Sequence, residues 1–204
     1  QGGDGTPCML LVLDEGHTDL DDATMSIVDH AAHATDAIPL SASLVAAWMG
    51  HRNDTSALQG LTRKGFVVDT MEIAAPWSRL VELFEDVRTA MMAVPHARAA
   101  TCHLSHSYPD GACLYFTFAA TPPPEEVESI YVALWDAGQR AVLAGGGNLS
   151  HHHGIGLNRG RFMAEALGAT HGVLAAIKAT LDPNGILNPG KLGLPSPFGD
   201  VSWP

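Results

Sequence analysis

Tyr108-Pro-Asp-Gly111 is a turn signal set between two strand-forming runs, Ala99 to Ser107 and Ala112 to Ala119. Proline presets the backbone for a turn and Asp-Gly supplies its polar and glycine positions, so the two runs pair as an antiparallel hairpin. In the second run Leu114, Phe116 and Phe118 share one face, while Tyr115 and Thr117 share the other. The apolar face therefore needs a cover, and Tyr115 points away from it. Pro76 opens a helix with Leu80, Leu83, Phe84, Val87, Met91 and Val94 on one stripe, the period of a helix packed on a sheet. A further strand is expected from Phe66 to Ile73, where Val and Thr alternate with other residues. Hairpin strands with amphipathic helices between them define an α+β sandwich.

The remaining elements are shorter. Cys8 to Glu15 is an apolar run that reads as a buried strand, and Ile38 to Ala42 as a second short one. Acidic residues from Asp19 to Asp22 start a helix that continues toward Asp36, and Leu44 to Met49 is helical up to Gly50. The polar segment 51–65 has helical character. Pro122 to Glu125 begins a helix carrying Val127, Ile130, Tyr131, Leu134 and Val142 that stops at Gly145. Arg161 to Leu181 reads as a last helix with Phe162, Val173, Leu174, Ile177 and Leu181 inward. Asp182 to Gly190 is turn chemistry followed by a Pro-rich tail. Residues 1–181 are thus expected to form one domain and 182–204 a tail.

Composition narrows the function classes. The 204 residues are 46% hydrophobic and 16% charged, enough for a packed core without disulfides. Asp and Glu outnumber Lys and Arg by 22 to 11, and the scattered basic residues form no phosphate-tracking stripe, which argues against nucleic acid. No apolar run reaches the ~18 residues of a membrane span. Three cysteines without a C-x-x-C pair point to a reducing compartment, the cytoplasm. The chain shows neither secretion signal nor lipid anchor, and its start at Gln1-Gly-Gly-Asp reads as a piece of a longer protein.

The candidate chemistry lies in Gly145-Gly-Gly-Asn-Leu-Ser-His-His-His-Gly-Ile-Gly156, where three imidazoles sit between glycine clusters. One reading is a zinc site, for which adjacent extended residues let at most two of the three histidines converge, so a carboxylate or cysteine must come from elsewhere. A second is a plain surface loop. The third is a proton-handling or anion-stabilising site. Tyr115 gains value as a general acid or base if this loop overlies its face, whereas His103 and His106 read as ordinary polar-face residues. Gly154-Ile-Gly156 is no nucleotide loop, because the G-x-G-x-x-G spacing fails at Arg159.

Four stretches occur in order: Thr70-Met-Glu-Ile-Ala-Ala-Pro-Trp-Ser-Arg79, the hairpin from Ala100-Thr-Cys-His to Ala112-Cys-Leu-Tyr-Phe116, Ser150-His-His-His-Gly-Ile-Gly156, and Asp182-Pro-Asn-Gly-Ile-Leu-Asn-Pro-Gly-Lys191. Together they resemble the C-terminal half of FAD-linked oxidases of the vanillyl-alcohol-oxidase type, most closely the alkyldihydroxyacetonephosphate synthase branch. The resemblance implies a ferredoxin-like antiparallel sheet with helices on one face, forming a cap over a flavin. It also implies a C-terminal tail that returns to an FAD-binding domain of the same polypeptide. The cofactor it implies is FAD, bound mainly by that other domain, and the partners are that domain and a small-molecule substrate, with a homodimer among the allowed assemblies.

In the synthase branch the flavin forms an adduct with the substrate carbon, exchanging an acyl for an alkoxy group without net redox change. The resemblance assigns proton transfer to Tyr115, with His152 and His153 as catalytic and cofactor-facing residues. His151, Thr70, Glu72 and Arg52 are then substrate contacts and Asn188 a cofactor contact, with no metal ligand assigned. Where that branch carries an Arg-Asp pair for the substrate phosphate, this chain reads Leu58-Gln59, so phosphate binding would fall to Arg52, Arg63 or Lys64. Two alternatives share the same residues: an FAD-dependent oxidase or dehydrogenase of a 2-hydroxy acid or alcohol, and a metal-binding or interaction module.

Overall fold

A computed structural model describes residues 9–54 and 56–199. The chain divides into two compact units, Gln1–Ser56 and Ala57–Pro204. In the first, helix α1 (Thr18–His33) begins with Asp19 and Asp21 and ends with His30 and His33, charges placed to suit the helix dipole. Helix α2 (Ser43–His51) follows, and neither helix has a buried residue. The strands expected at Cys8–Glu15 and Ile38–Ala42 do not form among the described residues; Cys8 itself lies outside them. Leu11 and Val12 are half-buried, but other apolar side chains of these segments remain exposed, Leu10 at 80% and Ile38 at 82%.

The second unit is built on one sheet. After helix α3 (Ser56–Thr62) come strand β1 (Val67–Pro76), helix α4 (Leu80–Met92), strands β2 (Ala97–Ser107) and β3 (Gly111–Ala120), and helix α5 (Val127–Ala144). The sheet is antiparallel in the order β1-β3-β2, so the hairpin forms as the turn demands and β1 pairs on the far side of β3. Gly111 closes that turn where a Cβ would come within 2.3 Å of the Ala75 carbonyl oxygen, a space that only glycine leaves free.

One face of the sheet is the core. Met71 and Ile73 of β1 and Leu114, Phe116 and Phe118 of β3 pack against Leu80, Leu83, Val87 and Met91 of α4 and Ile130, Leu134 and Val142 of α5. Each large side chain so buried contributes about 1.5–3 kcal/mol. The fold is α+β with helices on one face, as the hairpin and the α4 stripe predict.

The last helix departs from expectation. Gly168 takes φ 51 and splits it into α6 (Met163–Leu167) and α7 (Ala169–Leu181). Phe162 is buried with Leu149 and Met163 in a second small cluster, but α7 buries nothing, and Val173, Ile177 and Leu181 face outward. The glycine costs helix propensity and frees the backbone for a positive φ, so the apolar period continues in sequence without continuing the rod.

Candidate active site

Strand alternation and register build the site on the other face. Glu72, Tyr115 and His103 form one cross-strand row, flanked by Thr70, Thr117 and Thr101 on one side and Ala74, Cys113 and Ser105 on the other. His103 stacks on the Tyr115 ring, with centroids 4.9 Å apart and planes 23° from parallel. The histidine loop approaches the same ring, His153 edge-on at 5.4 Å and His152 at 5.9 Å. The Tyr115 hydroxyl donates to Thr70 Oγ1 at 3.2 Å and lies 3.5 Å from His153 Nε2.

Glu72 fixes the loop over this row. Its carboxylate accepts Ser150 Oγ at 2.7 Å, the His151 amide at 2.9 Å and the His153 amide at 2.7 Å. His153 Nδ1 and Arg159 Nη2 stand 3.6 Å and 3.5 Å from its Oε1. Burial pushes the Glu72 carboxyl up, but the bonds from Ser150, His151 and His153 and the charge of Arg159 prevail and hold it below its usual range. The loop is also tied to β1 by Ala74 and Asn148, whose backbones exchange hydrogen bonds of 3.3 and 2.7 Å.

Beneath the row a second carboxylate is fully engaged. Asp69 Oδ2 accepts Tyr131 Oη at 2.8 Å and Trp135 Nε1 at 3.0 Å, both from α5. Burial and then the Asp69 contact push the Tyr131 hydroxyl up to about 12.

Of the residues singled out in the sequence, Tyr115, Thr70, His151, His152 and His153 are brought together. Glu72, expected to touch substrate, is 0% exposed, because its oxygens are consumed by the loop. Arg52 belongs to the other compact unit, where its guanidinium lies 4.8 Å over Trp48. Asn188 is exposed in a left-handed turn, φ 46, beyond α7.

Four site residues escaped the sequence reading: His103, His106, Cys113 and Arg159. Counting register outward from the turn sets Leu104 opposite Tyr115; a β-bulge between Ser105 and Ser107 shifts the register by one and puts His103 there instead. The same bulge gives His106 φ 52 and turns its ring toward His151 and His152, at 5.2 and 4.9 Å. His106, Cys113, His151 and His152 each place a ligand atom within 4.8 Å of the others. The histidine pair in this group is 151 with 152, because the loop bends where an extended chain would have alternated. Cys113 is buried, and desolvation first, then the Glu72 charge, push its thiol up to about 11.

A sheet helix-covered on one side, with a tyrosine under a histidine loop on the other, is the frame of a flavin-enzyme cap, and the chain belongs to the family of FAD linked oxidases, C-terminal domain, whose model matches residues 1–192. It is the C-terminal domain of an FAD-linked enzyme. It is 28% identical over 199 residues to the FAD-linked oxidoreductase YgcU of Escherichia coli O157:H7, covering 91% of this chain and 41% of that protein. It is 42% identical over 106 residues to alkyldihydroxyacetonephosphate synthase of Trypanosoma brucei brucei, covering 50% of this chain and 17% of the synthase. The synthase of Caenorhabditis elegans is 32% identical over 137 residues, 63% of this chain and 23% of its own length. A solved alkyldihydroxyacetonephosphate synthase shares the fold, with a TM-score of 0.56 over 86% of this chain and 30% of its own, at 22% identity. The chain thus spans less than half the length of these relatives. Among the described residues no helix is long and apolar enough to cross a membrane.

Proposed function

We propose that this domain caps the flavin of an FAD-dependent enzyme of the alkyldihydroxyacetonephosphate synthase kind, and that Tyr115 transfers a proton to or from the substrate with His153 as its partner. The observation that carries this reading is the Tyr115 hydroxyl held between Thr70 Oγ1 at 3.2 Å and His153 Nε2 at 3.5 Å, with Glu72 behind the imidazole. A phenol donating to Thr70 leaves its oxygen lone pairs toward His153, so the imidazole is within reach to exchange a proton with the phenol oxygen. The contacts are long, as catalytic hydrogen bonds often are before substrate tightens them.

The residues fit a flavin. His152 and His153 keep exposed rings beside Tyr115 on a polar face, and they are the groups that would meet the cofactor and steady negative charge on it. FAD, when bound, supplies the electron-accepting chemistry; the chain's own residues orient the substrate and move its proton. His151 and Thr70 are the substrate contacts of this reading. The enzyme's location is proposed as cytoplasmic, and its further partners are an FAD-binding domain of the same polypeptide and a second copy of the protein.

The test is turnover of the full-length protein. Replacing Tyr115 with Phe should lower it by about 10²–10⁴-fold while FAD stays bound. Unchanged turnover removes Tyr115 from the chemistry. Supplying an acylated dihydroxyacetone phosphate with a long-chain alcohol, and separately a set of 2-hydroxy acids, distinguishes the two flavin reactions: net flavin bleaching by a hydroxy acid selects the dehydrogenase.

A second reading has its own observation, the convergence of His106, Cys113, His151 and His152 within 4.8 Å. Three nitrogens and a sulfur match the ligand preference of zinc. The cost is the Cys113 proton, which the metal must displace from a thiol raised to about 11. Stoichiometric zinc in the purified protein, lost on His106→Ala, supports it; metal-free protein with full turnover excludes it.

A further inference from the structure

Arg159 is 5% exposed, although a guanidinium in the interior is costly unless its charge and its N–H groups are met. It is only partly met. Nη1 donates to the Gly154 carbonyl at 2.7 Å, and Nη2 lies 3.5 Å from Glu72 Oε1. The guanidinium carbon stands 5.1 Å over the Trp135 ring. Nε and Nη2 are buried without a hydrogen-bond partner. Desolvation weighs against its charge, while Glu72 first, then Asp69, Tyr115 and Tyr131, favour it. A hydrophobic side chain would fill this space beside Trp135 more cheaply, so the position demands a reason for a cation.

The reason lies in what Glu72 does. It accepts one hydroxyl and two backbone amides from residues 150–153, which only an ionised carboxylate, an acceptor on both oxygens, can do at once. A protonated Glu72 would turn a donor toward these donors, and a tilted one would carry its acceptor oxygens away from them; either releases the loop. Arg159 sits six residues beyond His153 on the same loop, where it meets Glu72 with one nitrogen and the loop's own Gly154 carbonyl with another. Gly154 takes φ 79, a backbone state that a carbonyl contact helps to hold.

We propose that Arg159 is the positioning residue of this site: by neutralising Glu72 and holding the Gly154 carbonyl from below, it fixes His153 at the Tyr115 hydroxyl. Arg159 touches no reacting atom; it acts through Glu72 and the loop. The inference rests on the proton-transfer reading of Tyr115 for its consequence in turnover, and on the loop geometry alone for its structural part.

Two variants of the full-length protein test it, Arg159→Met and Arg159→Lys, with turnover, KM, melting temperature and amide hydrogen exchange at His151 and His153 as readouts. Arg159→Met should lower kcat by about 10²-fold, the usual cost of misplacing a catalytic group by about 1 Å, with KM little changed. The two amides should exchange faster. Lysine restores the charge without the fixed fork, so Arg159→Lys should recover part of both losses. The proposal is overturned if Arg159→Met keeps wild-type protection at His151 and His153, or if both variants lose kcat equally and only in proportion to unfolded protein. Should Tyr115→Phe prove fully active, the proton-transfer reading fails by itself, and amide protection in Arg159→Met still decides whether Arg159 holds the loop.

Discussion

Glu72 and Asp182 perform the same local task in two parts of the molecule. Each accepts two backbone amides from a loop and faces a cation: His151, His153 and Arg159 for Glu72, and Ile186, Leu187 and Lys178 for Asp182. Both carboxyls lie below their usual range. For Asp182 the Lys178 contact is the main cause, followed by the Leu187 amide. What differs is reach. Asp182 binds residues four and five positions ahead, whereas Glu72 binds residues 79 and 81 positions ahead. A local carboxylate shapes a turn, and its loss should be felt there. A long-range one joins the sheet to the loop that carries the site, so fold and chemistry fail together. Both carboxylates are buried, but their surroundings differ: Ile186 and Leu187 remain exposed beside Asp182, at 63% and 61%.

Glu72→Ala should show the largest effect. It leaves Arg159 buried without its counter-charge and orphans three donors, a loss of about 3–5 kcal/mol by the rule for breaking one side of a buried pair. Urea unfolding of the full-length protein measures it, and turnover should fall along with stability. A shift under about 1 kcal/mol would mean that water takes over the loop amides and that Glu72 is no lock. Asp182→Ala should loosen only its own turn. Amide exchange should accelerate at Ile186 and Leu187 while His151 and His153 keep their protection, and a change at the histidine loop would erase the distinction between the two carboxylates.

The same contrast explains what the sequence made legible. The hairpin at Tyr108-Pro-Asp-Gly111, the alternation of Leu114, Phe116 and Phe118 and the α4 stripe are local patterns, and each forms as read. Asp182-Pro-Asn-Gly185 announces its turn for the same reason. Tyr115 could be placed on the polar face by counting. The partner of that face could not, because no spacing links Glu72 to Ser150 or Arg159 to Trp135. His106 and the pairing of His103 with Tyr115 were hidden by a bulge that turns one residue and shifts the register beyond it, and Arg159 by standing in a loop where an arginine usually means solvent. The failures have matching causes. The apolar run ending at Glu15 has the composition of a strand, but composition does not supply a neighbour to pair with. The period of residues 161–181 survives the break at Gly168, so the outward turn of Val173, Ile177 and Leu181 leaves no trace in it.

Acid should reveal the smallest difference between the two carboxylates, and its sign follows from their depressed values. The unfolded references are about 4.3 for Glu and about 3.9 for Asp. A carboxyl that titrates below its reference in the folded state contributes stability that is complete above the reference and is lost as pH falls through the folded value. Both contributions are therefore present at pH 7 and disappear below about pH 4. Asp182→Asn and Glu72→Gln should each flatten this acid limb relative to the wild-type protein. They differ in where acid acts first. The Asp182 turn lies at the surface and should open by itself, with exchange rising at Ile186 and Leu187 before melting begins. The histidine loop should release only with the sheet beneath it, because the proton must reach a carboxylate enclosed by the amides it holds. If exchange at His153 rises in acid as early as at Ile186, Glu72 is reached from outside, and the loop above it opens independently of the fold.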